Sequence, residues 1–324
     1  MTASYFIGVD LGGTNVRAAR FTRQSHTPEA KTKIPTEGAE GPAHVYDRIE
    51  AAIREVAPSD LALVAGVGIA VPGPTDPYAG VVMKAPNIPD WINIPLQQVM
   101  GARLGRPVFI GNDANLAALG EWKFGAGRGQ TDVLYLTIST GIGGGVISGN
   151  RLLLGARGLA AEVGHMLVDP RGPLCGCGQR GHIASFASGT AIAKTAQASL
   201  ESGQGQDSQV LKLVDGDISR VTSAVVGQAA QAGDPFACDL IIEAGTMLGQ
   251  AVASLLHLYN PSVVIFGGGV SMLGDLLLEP TRRAVRRYAM SEAYWKDCPL
   301  VLAALGDDAG LVGAGALVME ETPQ

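Results

Sequence analysis

Charge is scarce in this chain of 324 residues: 17% are charged, and 24 Lys plus Arg against 30 Asp plus Glu leave a net charge of −6. That balance argues against nucleic acid or an anionic membrane as partner, because those interfaces need clustered Lys and Arg to displace counterions. Cysteine is scarcer still. Of four, Cys175 and Cys177 sit together in a loop while Cys238 and Cys298 stand far away, which is not the spacing of a disulfide framework. No apolar run approaches the roughly 20 residues that span a bilayer, and no charged leader with a cleavage site precedes the apolar pattern at Tyr5. The expectation is a soluble, cytoplasmic protein. With 47% apolar residues, the chain can bury enough surface to offset its conformational entropy, which excludes disorder beyond short segments.

Two nucleotide signatures are also missing. No Gly-Lys dipeptide occurs, so there is no Walker A loop, and the glycine turns at Gly141 and Gly267 reach Val146 and Met272 where G-x-G-x-x-G needs its last glycine. What the chain does have is glycine, 44 residues or about twice the usual share, without the G-X-Y period of collagen. Such an excess implies many positions with φ > 0 or many close approaches to the backbone, both properties of ligand-holding loops.

Three glycine turns follow apolar strands. Tyr5 to Asp10 runs into Leu11-Gly12-Gly13-Thr14 and returns through Phe21, a hairpin; Val133 to Ser139 meets Thr140-Gly141-Ile142-Gly143-Gly144-Gly145; Val263 to Phe266 meets Gly267-Gly268-Gly269. Between them, helical periodicity marks His44–Val56, Leu96–Leu104, a helix from Asn112-Asp113 to Phe124, Phe236–Leu258 and Ala309–Met319, and further strands lie at Ala62–Val71 and Pro107–Ile110. The polar stretch Gly203–Gly216 reads as a mobile excursion. Alternating strands and helices mean an α/β protein, and the second half opens as the first did, a weak internal repeat. Backbone N–H groups in such turns converge on anionic oxygen, although any one of them serves equally well as a tight hairpin.

Taken in order, Asp10-Leu11-Gly12-Gly13-Thr14-Asn15 with Arg17, Asn112-Asp113, Ser139 to Gly145, Glu162-Val163-Gly164-His165 and the C-x-C-G-x-x-G run from Cys175 to Gly181 resemble the ROK family (repressors, open reading frames and kinases). The resemblance covers nearly the whole length. It implies two ribonuclease-H-like (actin-like ATPase) domains with a cleft between them: 1–124, with the C-terminal helix at about 307–322 packing back on it, and a larger 125–306 carrying the cysteine loop. The family's repressors carry an extra N-terminal DNA-binding domain. This chain starts at the first strand, so the resemblance is to the kinase branch, and within it to glucokinases.

By that resemblance Asp10, Gly12, Gly13, Thr14 and Asn15 serve the ATP phosphates and Mg²⁺, Thr140, Gly141, Gly143 and Gly144 serve the phosphates from the other domain, and Gly267, Gly268 and the Asp308-Ala309-Gly310 turn line the nucleotide. The resemblance implies that Asp113 is the general base, a role the chemistry requires because a sugar hydroxyl is a poor nucleophile until a carboxylate takes its proton. On the residues alone, Asn112 or Asp113 is simply a helix cap. The resemblance also implies that Asn87, Asn112, Asp113, Glu162 and His165 bind the sugar. By the same resemblance His165, Cys175 and Cys177 would be ligands of a structural Zn²⁺, and His182 stands where the family has a third Cys. Mixed Cys/His sites are ordinary for zinc, so the expected set is Cys₂His₂. A second departure is Ala184, where the family's sugar-binding Glu would be; Ser185 and Glu162 are candidate substitutes. The expectation is an ATP-dependent hexose kinase, most directly for glucose, acting on sugar and ATP as a homodimer or homotetramer. The rivals are a kinase for N-acetylmannosamine, fructose or allose, and a non-catalytic sugar-sensing relative.

Overall fold

The computed structural model describes residues 5–23 and 25–322. Their contacts form two compact units, one drawn from Met1–Gly129, Gly145–Ala161 and Ala304–Gln324, the other from Gln130–Gly144 and Glu162–Ala303. The units are of nearly equal length, and Gly145–Ala161 groups with the first.

In the first unit, β1 (Tyr5–Leu11), β2 (Asn15–Thr22), β3 (Ser25–Pro35) and β4 (Val64–Val71) are followed by a small sheet of β5 (Thr75–Asp76), β6 (Val81–Lys84) and β7 (Ile92–Ile94), and then by β8 (Val108–Asn112). The main sheet has the order β3-β2-β1-β4-β8, antiparallel through β1 and parallel beyond it. β1 is a nearly continuous apolar run because both its faces are covered. On one side α1 (Pro42–Val56) packs Val45, Ile49 and Ile53, none of them exposed, into a core with Ile7, Val9 and Leu11; burying each such side chain is worth about 1.5–3 kcal/mol. The other side takes α10 (Ala309–Glu321), which packs on β1, β4 and α3 (Asp113–Phe124). Contact there is backbone to backbone: a Cβ at Gly68 of β4 would land on the Ala314 carbonyl oxygen. α2 (Leu96–Leu104) leads into β8.

The second sheet has the order β11-β10-β9-β12-β13, from β9 (Val133–Ile138), β10 (Ile142–Ser148), β11 (Arg151–Leu152), β12 (Val263–Gly267) and β13 (Leu300–Leu302). This repeats the order of the first sheet, third-second-first-fourth-fifth, again with parallel pairing from the first strand outward. The helices of the second unit are α4 (Ala184–Ala187), α5 (Gly189–Glu201), α6 (Gln209–Leu213), α7 (Ser223–Gln231), α8 (Pro235–Tyr259) and α9 (Asp275–Tyr288). α8 is long and apolar enough to cross a membrane by length and composition, contrary to the expectation that no stretch would be. Its buried residues, among them Leu240, Ala244, Leu248, Val252 and Leu256, and its packing on α4, α5, α7 and α9 are those of a core helix.

The Gly203–Gly216 stretch holds a helix, α6, and is tied down. Asp234, the N-cap of α8, accepts hydrogen bonds from Ala237 N (2.9 Å), Gln209 N (2.8 Å) and Ser208 Oγ (2.8 Å). Burial works to raise the Asp234 pKa, but these hydrogen bonds outweigh it and hold the carboxyl below the usual range. Its contribution to stability is therefore present at neutral pH and is lost as pH falls through the lowered value.

A second buried carboxylate organises the first unit where the chain leaves it and returns. Glu121, at the end of α3 and 0% exposed, accepts hydrogen bonds at Oε2 from Ala126 N (2.8 Å) and Ala304 N (3.1 Å) and at Oε1 from Leu305 N (2.7 Å). Hydrogen bonds to a charged group contribute about 1.5–3 kcal/mol each and leave buried donors unsatisfied when removed. Glu121→Ala is expected to lower the unfolding free energy of the chain by about 3 kcal/mol or more, read by chemical denaturation, with Glu121→Gln falling between the two.

Candidate active site

The first glycine turn lies between β1 and β2. Gly12 N donates to Asn15 O (2.9 Å), Thr36 Oγ1 donates to Gly12 O (2.7 Å) and Thr36 N to Thr14 O (2.9 Å), so the hairpin tip is held from behind with Thr14 exposed. Gly13 has a packing reason: a Cβ there would meet Asn87 O at 2.6 Å and Asn87 Cβ at 2.8 Å. Two residues picked separately from the sequence thus touch. Asp10 is not a lone carboxylate. Its Oδ2 is bound by both Nε (3.1 Å) and a terminal nitrogen of Arg17, and Arg17 also donates to Asp307 O (2.8 Å) and lies 3.4 Å from Asp308 Oδ1. Lys31 Nζ closes the network on Asp308 at 2.6 Å.

Asn112 ends β8 and caps α3. Its Oδ1 accepts from Ala114 N (3.0 Å) and Asn115 N (3.1 Å), and its Nδ2 donates to Gly73 O (3.2 Å). The capping reading of Asn112 is therefore correct, and it leaves Asp113 as the first residue of the helix, half-buried. Its Oδ1 accepts from Ala114 N at 2.8 Å. The positive end of the helix dipole favours negative charge at that place.

In the second unit, the turn at Thr140-Gly141 is exposed and docks on the start of α5 through Gly189 N to Ser139 O (2.7 Å) and Thr190 N to Thr140 O (3.3 Å). Gly144 is buried, and a Cβ there would meet Val163 and Tyr135 O at 2.6 and 3.0 Å. A cavity of about 650 Å³ opens beside the turn, lined by Ser139, Thr140, Gly189, Thr190, Lys194, Gln197, Thr222, Ser223, Gln228, Gln231, Gly269, Met272 and others. The third glycine turn reaches this cavity through Gly269; Gly267 and Gly268 instead pack against Tyr135 and Ile138. Sequence reasoning missed the α5 and α7 side chains because Lys, Gln, Thr and Ser on amphipathic helices look like an ordinary solvated face.

Glu162 and His165 flank a short 3₁₀ turn, both exposed, with His165 N bonded to Glu162 O at 3.0 Å. His165 Nδ1 lies 3.3 Å from His182 Nδ1 and 3.9 Å from Cys175 Sγ, and Cys177 Sγ lies 3.3 Å from His182 Nδ1. All four ligand atoms fall within 4.8 Å of one another. Bond lengths of 2.0–2.3 Å give a tetrahedral zinc site edges of about 3.3–3.8 Å; two pairs stand at 3.3 Å and the others are wider, so the donor set could hold such an ion once the wider pairs draw in. Burial pushes the Cys175 thiol up; a bound metal would reverse that. The loop geometry comes from two isolated bridges, Leu167–His182 and Leu174–Arg180. Ala184 opens α4, and Ser185 Oγ donates to His182 O at 2.7 Å.

A model of the ROK family matches residues 6–321. The chain belongs to the ROK family. It is 38% identical to a glucokinase of Thermotoga maritima, with 97% of each chain covered, and 37% identical to a glucokinase of Streptomyces coelicolor, with 98% of each covered. A crystal structure of a ROK family glucokinase from Streptomyces griseus in complex with glucose and AMPPNP superposes with a TM-score of 0.84 at 38% identity, covering 98% of this chain and 99% of that one. The α/β fold of this chain is accordingly that of the ROK glucokinases, the actin-like ATPase fold, and the repeated sheet order is its mark.

Proposed function

We propose that the chain is an ATP-dependent hexose kinase that transfers the terminal phosphoryl group of ATP to the 6-hydroxyl of glucose. The observation that carries this reading is the half-buried carboxylate of Asp113 at the first turn of α3, backed by the Asn112 cap, in a ROK chain 37–38% identical over almost its full length to glucokinases. Asp113 accepts the proton of the 6-hydroxyl as the new O–P bond forms and the bond to the leaving ADP oxygen breaks. Asn87, Asn112, Glu162 and His165 hold the sugar hydroxyls. The turns at Gly12–Asn15 and Thr140–Gly144 offer backbone N–H groups to the phosphates, and the cavity beside α5 and α7 takes the nucleoside, its amides and hydroxyls suiting a base and ribose.

Mg²⁺, when bound, neutralises charge on the phosphates. Asp10 would hold it through the ion's water shell, which Mg²⁺ gives up reluctantly, since Arg17 occupies one carboxylate oxygen. Zn²⁺ at His165, Cys175, Cys177 and His182 would be structural. With His165 Nδ1 turned to the cluster, its other ring nitrogen is left for a sugar hydroxyl, so one imidazole serves both roles. A cytoplasmic homodimer or homotetramer completes the reading, on the resemblance alone.

Ala184 favours a second reading, a kinase for a different hexose, because a charge-assisted hydrogen bond to the sugar worth about 1.5–3 kcal/mol is absent there. Ser185 already spends its proton on His182 O and remains available only as an acceptor.

Sugar-stimulated ADP release with Mg·ATP over a panel of hexoses separates these readings. Glucose is expected to give the highest kcat/KM; preference for another hexose selects the second reading, and no stimulation by any hexose removes the kinase. Asp113→Asn is expected to lower kcat by about 10²–10⁴-fold, and retained turnover would remove the base assignment. Metal analysis of the purified protein is expected to find about one zinc per chain, lost in Cys177→Ser together with a lower unfolding temperature. A metal-free wild type of equal stability would make the cluster a plain surface loop.

A further inference from the structure

The low overall charge hides a local concentration. Arg282, Arg283, Arg286 and Arg287 occupy the last two turns of α9 in a chain with only 24 basic residues. A helix C-terminus carries about half a negative charge, which one arginine satisfies. Arg282 is neutralised by Asp275 (2.9 Å) and Glu279 (2.5 Å), whereas Arg283, Arg286 and Arg287 make no ion pair among the described residues. Beside them a cavity of about 300 Å³, the lower end of the small-molecule range, is lined by Arg282, Val285, Arg286, Trp295, Lys296 and Cys298 with the start of β13.

We infer that this cavity is a second small-molecule site that takes a phosphomonoester carried on a flat heteroaromatic ring, a ligand of the nucleoside monophosphate class. Arg286 and Lys296 supply two positive charges to a dianionic phosphate, and no carboxylate lines the cavity. Lys296 is held only loosely by Glu292, at 3.9 Å with both side chains mostly exposed, and is available to turn inward. Trp295, half-buried, offers the ring face; Arg286 lies 5.4 Å over it, so guanidinium and indole already meet as the two halves of one recognition surface. Packing of an arginine on a tryptophan would account for that contact but not for the open volume beside it. The rest of the wall is neutral: burial pushes the Cys298 thiol up to about 11, so it is uncharged at physiological pH. The inference uses residues remote in sequence from the kinase reading and does not depend on it.

Trp91 and Trp122 are buried and Trp295 is not, so the part of an intrinsic fluorescence change that depends on Trp295 reports on this cavity. Titration of the full chain with AMP is expected to give a saturable change that inorganic phosphate reproduces only at higher concentration and adenosine does not. Trp295→Phe is expected to remove the signal. Arg286→Ala and Lys296→Ala, both surface substitutions, are each expected to weaken AMP about tenfold or more by calorimetry. No saturable binding of AMP up to about 10 mM, or binding of unchanged strength in both Arg286→Ala and Lys296→Ala, overturns the inference.

Discussion

The first unit depends on one buried carboxylate. Burying Glu121 unpaired would cost far more than a domain can spare, yet its two oxygens take three backbone N–H groups, from Ala126 on the outgoing chain and from Ala304 and Leu305 on the returning one. On the returning chain the Leu305 side chain adds apolar packing against the cluster of Ala19, Phe21, Leu311 and Val312. Once Leu305 is fixed, the turn Gly306–Asp308 that opens α10 is fixed as well, and Asp307 and Asp308 are the groups that hold Arg17. Arg17 in turn holds Asp10. A single acidic residue at the end of α3 therefore helps to order, through four short steps, the carboxylate at the tip of β1, while the other end of the same helix carries Asp113.

Much of this was legible in the sequence because strand and helix periodicity is strong wherever an element is buried. β1, β4, β9 and β12 are apolar runs, and α2, α3, α8 and α10 were located to within a few residues. What was not legible has physical causes. β3 is an edge strand with Pro28 and Pro35 in which only Thr32, a polar residue, is buried, so its sequence shows no period-2 apolar signal above its loops. α9 contains Pro280, the usual mark of a helix boundary, here accommodated in its second turn. The cluster of four arginines disappeared into a net charge of −6, because a sum over the chain says nothing of where the charges gather.

The candidate site shows the same division. Residues named for their motifs were found where local geometry is dictated by the chain itself: the hairpin tip, the cap of α3, the four donors at His165, Cys175, Cys177 and His182. The part of the cavity wall supplied by α5 and α7 is not legible, because each reads as an ordinary polar helix face until the fold brings it beside Thr140 and Gly269.

The glycine excess sorts into three physical classes. Some glycines are required by packing, as at Gly13, Gly144, Gly267 and Gly268, where a Cβ would strike a neighbour; others by a left-handed backbone, as at Gly129, Gly149 and Gly216, where φ is positive and space is open. A few have neither reason. Gly141, Gly176 and Gly269 have open space where a Cβ would stand and no positive φ, so alanine would fit and would restrict the unfolded chain, a gain of about 0.4–1 kcal/mol. A structural requirement therefore does not explain them. Two of the three stand at strand-end turns, Gly141 next to Thr140 in the cavity wall and Gly269 in the wall itself, and the third stands between the two cysteines of the donor cluster. Bare backbone at these places is what an anionic oxygen or a tightly folded metal loop needs, and that makes the open glycines, rather than the abundant ones, the informative part of the composition.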